Sequence, residues 1–297
     1  MHPTTSTPPP AGLPGAAEAR AQALHWLTQA DPQAKVSGVQ ALWQRVQADA
    51  AAGRPWVDPV AALTPPPQRP LPGRPLRPVL IEPGAVPARS PFTPEGHAAL
   101  VHALCHIEFN AINLALDAVW RFAGMPDAFY RDWLRVAAEE ALHFSLLREH
   151  LRTLHGPDGQ RWDYGDFEAH DGLWTMCDRT AHDIVARMAL VPRTLEARGL
   201  DATPLIQAKL RRAGTPAAQR TCAILDLILR DEVGHVAIGN RWYHWLCDQR
   251  GLEPLAHFRQ LVRLHRAPRP KPPLNTEARL RAGFSAAELD YLTQTVA

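Results

Sequence analysis

Two Glu-x-x-His pairs constrain this chain more than any other feature of its sequence. Glu140-Ala-Leu-His143 and Glu232-Val-Gly-His235 each interrupt a long, otherwise apolar stretch with helical periodicity. On an α-helix, residues i and i+3 lie about 60° apart, so each Glu and His point to one side and can share a metal ion. Burying these groups without a partner would be costly. The pairs therefore predict two core helices that meet at a metal site, with Glu–His pairing on solvated faces as the alternative.

Two single glutamates complete the pattern. A di-metal carboxylate bundle takes one Glu from each of two helices and a Glu-x-x-His from each of the other two. Glu108 precedes Glu140 by 32 residues and Glu196 precedes Glu232 by 36, so each single Glu lies one helical hairpin before its pair. Glu108 also lies in an apolar stripe. The alternative for Glu108 is a buried acid paired with an arginine.

Glu196 is the least secure of these residues. It lies near the end of its predicted helix and four residues after Pro192, which would kink that helix and turn Glu196 either inward or away. The alternative is a helix-end acid that pairs with Arg193 or Arg198. Asp183 lies too far before Glu232 to match the interval of the first hairpin. If Pro192 distorts the helix, however, Asp183 becomes the alternative ligand in place of Glu196.

The residue types indicate which metals the site would hold. Carboxylates bridge hard, redox-active ions, and one neutral imidazole per ion suits iron or manganese. Four carboxylates and two neutral histidines balance two divalent ions, whereas four carboxylates without metal would repel each other and take up protons. The sequence thus predicts two iron ions, with manganese or a mixed Mn/Fe pair as alternatives. The six predicted ligands are Glu108, Glu140, His143, Glu196, Glu232 and His235.

Proline divides the chain compositionally. Nineteen of the 29 prolines fall within residues 1–94, and the stretch from Gly53 to Pro91 cannot form a helix or a central strand. Its Val79-Leu80-Ile81 triplet suggests that part of this arm docks on the core. We predict a disordered tail (1–15), accessory helices and a Pro-rich arm (16–93), a bundle (94–251) and a C-terminal extension (252–297).

Four long helical stretches define the predicted bundle. Capping and breaking signals place them at Thr93–Gly124, Pro126–Gly156, Gly172–Gly199 and Thr215–Gly251, with Asp201–Gly214 as a connection that contains a short helix. The N-terminal region should hold two short helices separated near Asp31-Pro32, and the C-terminal extension a helix at Ser285–Thr293. The fold class is therefore all-α: a ferritin-like four-helix bundle with an N-terminal helical and Pro-rich extension and a short C-terminal extension.

Composition adds few constraints. The net charge of +2 gives no strong field toward nucleic acid or membrane, and no signal peptide or membrane span is evident. Four scattered cysteines indicate buried thiols in a reducing compartment, so we expect a cytoplasmic protein without a membrane partner. A homodimer is left open. The basic strip Arg263–Lys271 is interpreted as a solvated loop, with contact to RNA phosphate as the alternative.

Longer stretches around these residues resemble a known family. They are HIEFNAINLALDAVWRF (106–122), DWLRVAAEEALHFSLLREHL (132–151), HDGLWTMCDRTAHDIVARMALVPRTLEARGLD (170–201) and ILRDEVGHVAIGNRWYHWL (228–246). Over roughly residues 75–295 the chain resembles the DUF455 family of ferritin-like proteins, a bacterial group related to non-haem di-iron tRNA hydroxylases. The resemblance implies a ferritin-like fold and a di-iron carboxylate site at the same six residues. It does not supply a substrate.

Two functional classes follow. The favoured one is a non-haem di-iron oxidoreductase, a hydroxylase or oxidase that uses O₂ on an organic substrate, either a small molecule or RNA. The alternative is a non-catalytic, metal-binding or iron-handling bundle. An apolar pocket that opens onto the metals would favour the first, and acidic access channels the second. His106 and Glu139 flank predicted ligands and are interpreted as facing neighbours or solvent, with support of a ligand as the alternative.

Overall fold

The computed structural model describes residues 18–294, so the predicted disordered tail at 1–15 lies outside the described residues. Within that range the protein is all-helical, and no strand longer than an isolated bridge occurs. The helices are α1 (Ala19–Leu27), α2 (Pro32–Ala51), α3 (Pro94–Arg121), α4 (Asp127–Leu151), α5 (Gly172–Arg179), α6 (Ile184–Leu190), α7 (Ala197–Ala213), α8 (Pro216–Gln249), α9 (Pro254–Leu264), α10 (Thr276–Arg281) and α11 (Ala286–Thr293).

The long helices begin where the sequence predicts. The hydroxyl oxygens of Thr93 and Thr215 accept from the backbone N–H groups of Gly96 and Ala218, both at 3.1 Å, and a proline follows each threonine. Helices α3 and α4 pack as one hairpin, α7 and α8 as another, and α4 lies against α8. The two Glu-x-x-His motifs are therefore carried on helices that contact each other, α4 and α8.

The N-terminal helices form as predicted, with the break at Asp31. The carboxylate of Asp31 caps α2 by accepting from the backbone N–H of Ala34 at 2.7 Å. The buried Lys35 ammonium then joins three segments, because it lies 2.9 Å from the carbonyl oxygen of Gly73, 3.4 Å from that of Leu27, and also contacts the side-chain oxygen of Asn113 on α3. This side chain therefore connects the N-terminal helices to α3.

The Pro-rich arm forms one short helical element, the 3₁₀ turn Pro83–Ala85, and one isolated β-bridge at Leu80. Its Val79-Leu80-Ile81 segment docks as the sequence suggests. The backbone N–H of Ile81 donates to the carbonyl oxygen of Ala169 at 2.9 Å, and the N–H of Ala169 donates to the carbonyl oxygen of Val79 at 3.0 Å. Because Ala169 belongs to the α4–α5 crossover, the arm is held across the outside of the bundle.

The prediction of one continuous third helix at 172–199 is wrong. Helix α5 ends at Arg179, and the chain turns before α6 starts at Ile184. Thr180 fixes this turn, since its hydroxyl donates to the carbonyl of Met176 and accepts from the buried Arg187 guanidinium at 2.8 Å. A buried polar network that satisfies Arg187 thus overrides the local helical pattern.

Pro192 is absorbed by a π-helical segment, Val191–Glu196, instead of a simple kink. The helix then continues as α7 to Ala213, so the predicted connection at 201–214 is also wrong. Pro204 lies inside α7, and a proline leaves the carbonyl four residues earlier without its helical donor. That carbonyl, of Leu200, accepts from the side-chain amide of Asn275 at 3.2 Å, which makes the proline tolerable.

The C-terminal extension packs back on the π-helical segment. Helix α11 occurs where the sequence predicts it, and α9 and α10 are additional. The buried Arg193 guanidinium pairs with Glu288 of α11 and donates to Asn240 of α8 at 2.7 Å. The ring centres of Tyr243 and Phe258 lie 4.8 and 4.4 Å from the Cζ atom of Arg193. The extension therefore holds the distorted segment that carries Glu196.

Two features bear on the predicted environment. Helix α3 is long and apolar enough to cross a membrane by length and composition, but 78% of its apolar window is buried inside the protein, as in the core helix of a soluble protein. All four cysteines are buried and free, as the sequence predicts.

Candidate metal centre

Four of the six predicted ligands form one compact cluster. Ligand atoms of Glu108, Glu140, His143 and Glu232 all lie within 4.8 Å of one another. Glu108 is on α3, Glu140 and His143 are on α4, and Glu232 is on α8, so three helices supply the group. Such a buried cluster could hold a metal ion. The alternative of Glu–His pairs on solvated faces is excluded by this burial.

Glu140 lies between the two histidines. Its Oε2 is 3.3 Å from Nδ1 of His143, and its Oε1 is 2.9 Å from Nδ1 of His235. The same Nδ1 atoms also face Glu108 at 3.4 Å and Glu232 at 3.4 Å, respectively. The two imidazole rings are 5.9 Å apart. His235, the fifth predicted ligand, therefore faces the same cluster from α8.

Glu196 lies beside the cluster. Both of its carboxylate oxygens are buried and have no hydrogen-bond partner among residues 18–294. Burial, followed by the charges of Glu232 and Glu140, raises the pKa of Glu196 well above its ordinary value. The arginine alternatives fail, because Arg193 is bound to Glu288 and Glu196 forms no ion pair with any residue between 18 and 294. Asp183 instead caps α6, where its carboxylate accepts from Val185 at 2.9 Å.

Two further acids support the histidines in a crossed arrangement. Glu139 on α4 lies 2.8 Å from Nε2 of His235 on α8, and Asp231 on α8 lies 3.2 Å from Nε2 of His143 on α4. Each acid thus accepts a hydrogen bond from the Nε2–H group of the opposite histidine, which directs Nδ1 of that histidine toward the cluster. Glu139 does face a neighbour, as interpreted, because its Oε1 accepts from Arg135 at 2.8 Å, while the contact of its Oε2 with His235 agrees with the alternative, support of a predicted ligand. The sequence did contain an indication of these contacts, because an acidic residue directly precedes the glutamate of each motif.

His106 faces neighbours as interpreted. Its Nδ1 lies 3.0 Å from the Tyr164 hydroxyl, and its Nε2 lies 3.1 Å from the backbone oxygen of His170. These contacts place it on the crossover side of α3 and away from the cluster.

The cluster holds protons when it holds no metal. Burial and the neighbouring Glu140 carboxylate raise the pKa of Glu108 to about 8. Burial disfavours the charged imidazole of His143, but the carboxylates of Glu108 and Glu140 outweigh it and raise its pKa to about 11. The pKa of His235 is raised well above its ordinary value in the same way, against its burial, mainly by Glu140. A divalent ion would replace these protons.

The polar atoms of the cluster fit a metal better than they fit each other. Glu140 Oε1 and His235 Nδ1 lie 2.9 Å apart, yet both are buried without a hydrogen bond of acceptable geometry. The two buried oxygens of Glu196 also lack a donor in the part of the chain that the structure describes. Unpaired buried polar groups are rare because each costs roughly 1–3 kcal/mol. Their concentration around one point fits a shared cation.

Comparisons with known proteins agree with the resemblance seen in the sequence. The family described as "Protein of unknown function (DUF455)" matches residues 28–290. The chain belongs to the DUF455 family. An "Uncharacterized protein" from Haemophilus influenzae is 53% identical to this chain over 233 residues, which covers 76% of this chain and 78% of the relative. No solved structure matches this chain.

Proposed function

We propose that this DUF455 protein is a ferritin-like four-helix bundle that binds two iron ions at Glu108, Glu140, His143, Glu196, Glu232 and His235. The observation that carries the proposal is the crossed symmetry of the site. Glu140–His143 and Glu232–His235 face each other from α4 and α8, and the acid before each motif supports the opposite histidine. A single surface ion pair would not need this duplicated arrangement. Manganese, alone or with iron, suits the same donors.

Each residue has a defined part in this proposal. Glu140, which lies between both histidines, would help to hold both ions. Glu108 and Glu196 bring negative charge from the two other helical segments, so that four carboxylates balance two divalent ions. Glu139 and Asp231 hold the histidines in the tautomer with Nδ1 available. The buried surroundings keep bulk water from the site.

The reaction we propose is the O₂-dependent oxidation or hydroxylation of an organic substrate. Two bound ferrous ions would supply electrons for the reduction of O₂. The chain's own contribution is to hold and orient the carboxylate and imidazole donors in a buried site, and the proton described for Glu108 in the metal-free protein would be given up when metal binds. The substrate class, a small molecule or RNA, is left open, as are a homodimer and the cytoplasmic location expected from the sequence.

Anaerobic loading tests the proposal directly. We expect the protein to take up about two ferrous ions per chain, as six ligands require. Mixing with O₂ in a stopped-flow instrument should then give a fast optical transient that decays. Binding of one zinc ion and no iron during iron-replete expression would contradict the di-iron assignment.

Ligand variants connect this signal to the site. His143→Ala and His235→Ala should each lose one ion and most of the O₂ reaction. Glu149→Gln, on the exposed face of α4, is the matched control and should keep both. Full metal loading in both histidine variants would place the site elsewhere. Iron uptake with no O₂ reaction would instead favour the non-catalytic, iron-handling alternative.

A further inference from the structure

Among the described residues, no hydrogen bond fixes the carboxylate of Glu196. Both of its oxygens are buried and lack a donor within residues 18–294, whereas the Glu108 carboxylate lies 3.4 Å from Nδ1 of His143 on the neighbouring helix. Glu108 also belongs to the uninterrupted helix α3, but Glu196 ends the π-helical segment Val191–Glu196. The direction of the Glu196 side chain therefore depends on how the backbone around it is held.

The backbone before Glu196 is held by Arg193. Its buried guanidinium donates to the side chain of Asn240 at 2.7 Å and pairs with Glu288 of α11. Glu288 is itself fixed, because its second carboxylate oxygen accepts from the backbone N–H and the hydroxyl of Ser285 at 2.8 and 3.0 Å. A buried charged pair of this kind is costly to open, so the start of α11 holds the π-helical segment in place.

The residues after Glu196 are held by a second set of contacts from the C-terminal extension. The buried Arg279 guanidinium of α10 donates to the backbone oxygen of Ala197 at 3.1 Å. Asn275, the N-cap residue of α10, donates from its side-chain amide to the carbonyl oxygen of Leu200 at 3.2 Å. The extension therefore clamps the chain on both sides of Glu196.

These contacts act on the half of the metal cluster that contains His235. The π-helical segment packs against α8, which carries Glu232 and His235, and the extension packs against α6, α7 and α8. Glu108 and His143 belong instead to the α3–α4 hairpin, against which α1 and α2 pack. A change in the extension should therefore reach the two halves of the cluster unequally.

We propose that Arg193 is a positioning residue for Glu196, and that through it the C-terminal extension sets the affinity of the ion next to His235 and leaves the ion next to His143 unaffected. The inference rests on the proposed di-iron site. Its physical reason is preorganisation, because a donor that the fold already holds in place does not have to be ordered by the ion. Helix α11, which contributes none of the six proposed ligands, thereby controls one position of the metal pair.

A Mn²⁺ titration of the full chain, followed by the EPR signal of the free ion, tests the proposal without oxygen chemistry. Glu288→Gln removes the charge that pairs with Arg193 and keeps the shape of the side chain. It is combined with His143→Ala and with His235→Ala, each of which leaves one ion position. With His143→Ala, Glu288→Gln should weaken the remaining Mn²⁺ site about tenfold, whereas with His235→Ala the change should stay below about twofold.

Glu253→Gln is the matched control, because it removes a capping carboxylate from α9 of the same extension. It should leave Mn²⁺ affinity unchanged in both backgrounds. Equal effects of Glu288→Gln in the two backgrounds, or none in either, would overturn the proposal, since a merely destabilised fold would weaken both positions alike. Failure of the wild type to bind two Mn²⁺ ions would instead contradict the two-ion site itself.

A second variant tests the clamp on the other side of Glu196. Asn275→Ala releases the carbonyl oxygen of Leu200 and should weaken the same Mn²⁺ position as Glu288→Gln, by a smaller factor. It decides the proposal if Glu288→Gln fails to fold. Weakening of the position next to His143 by Asn275→Ala would count against the proposal.

Discussion

At the scale of single residues, the acid directly before each Glu-x-x-His motif sets the tautomer of a histidine in the other motif. Glu139 and Asp231 each contact the Nε2 atom of a histidine on the opposite helix. A carboxylate in this position fixes the tautomer and raises the basicity of the imidazole, and its loss typically costs 10–100-fold in metal affinity. These two residues therefore extend the candidate site beyond the six predicted ligands.

Asp231→Asn and Glu139→Gln should each weaken metal binding by about 10–100-fold while the ligand count stays the same. An amide can offer its N–H group to Nε2, which would favour the wrong tautomer. Competition titrations with a chelator of known affinity measure the effect, with Glu149→Gln as the exposed control. Unchanged affinity in both variants would show that the crossed contacts do not act on the metal.

The effect of Glu196→Gln on the protein should be favourable without metal and unfavourable with metal. In the metal-free protein it replaces a buried carboxylate that has no partner and lies near Glu232 and Glu140, so we expect stabilisation of about 1–3 kcal/mol. In the loaded protein it removes charge from the site and should weaken binding of the second ion. Chemical denaturation with and without metal measures both effects. A variant that still holds two ions with an unchanged metal-site spectrum would remove Glu196 from the ligand set.

At the scale of helices, the distorted segment around Pro192 depends on one glycine of α8. A Cβ atom at Gly239 would lie 2.6 Å from both Cβ and Cγ of Pro192. Real Cβ atoms do not approach this closely, so the π-helical segment that carries Glu196 can lie against α8 only because residue 239 has no side chain.

Gly239→Ala should destabilise the protein by about 1–3 kcal/mol, through overpacking, and should lower metal affinity by displacing Glu196. The matched control is Gly199→Ala on α7, where a new Cβ would meet no atom within 4 Å. There the better helix propensity of alanine should stabilise by about 0.5–1 kcal/mol. Thermal melting of both variants makes the comparison. If Gly239→Ala is as stable as the control, the close approach to Pro192 does not matter.

At the scale of the whole molecule, metal, protons and stability are linked. The pKa of Glu108 is about 8 in the folded protein and 4.5 ordinarily. Below 4.5 both states hold this proton, and as pH rises toward 8 only the folded state keeps it, so the stabilisation is lost across that interval. His143, raised from 6.5 to about 11, contributes in the same direction at higher pH.

Three buried histidines, His102, His106 and His150, act in the opposite direction below pH 6.5, because burial lowers the pKa of each to about 4. We therefore expect the melting temperature of the metal-free protein to fall between about pH 6.5 and pH 8, where Glu108 and His143 set the sign. Metal must displace these protons, so its affinity, and the increase in melting temperature that it causes, should rise over the same interval. Thermal scans with and without metal at several pH values measure both trends. A chelator that leaves melting unchanged at every pH would contradict the proposed linkage.

The sequence by itself determined where the long helices begin and most residues of the candidate site. Periodicity and capping residues such as Thr93 and Thr215 specify helix starts locally, and the spacing of Glu108, Glu140 and His143 is a property of one hairpin. Only the tertiary structure decided the third helix, because Arg187, Arg193 and Asn275 satisfy backbone and side-chain groups from distant parts of the chain. It also decided the crossed contacts of Glu139 and Asp231. Such partners depend on which helices pack together, and local sequence preferences do not carry that information.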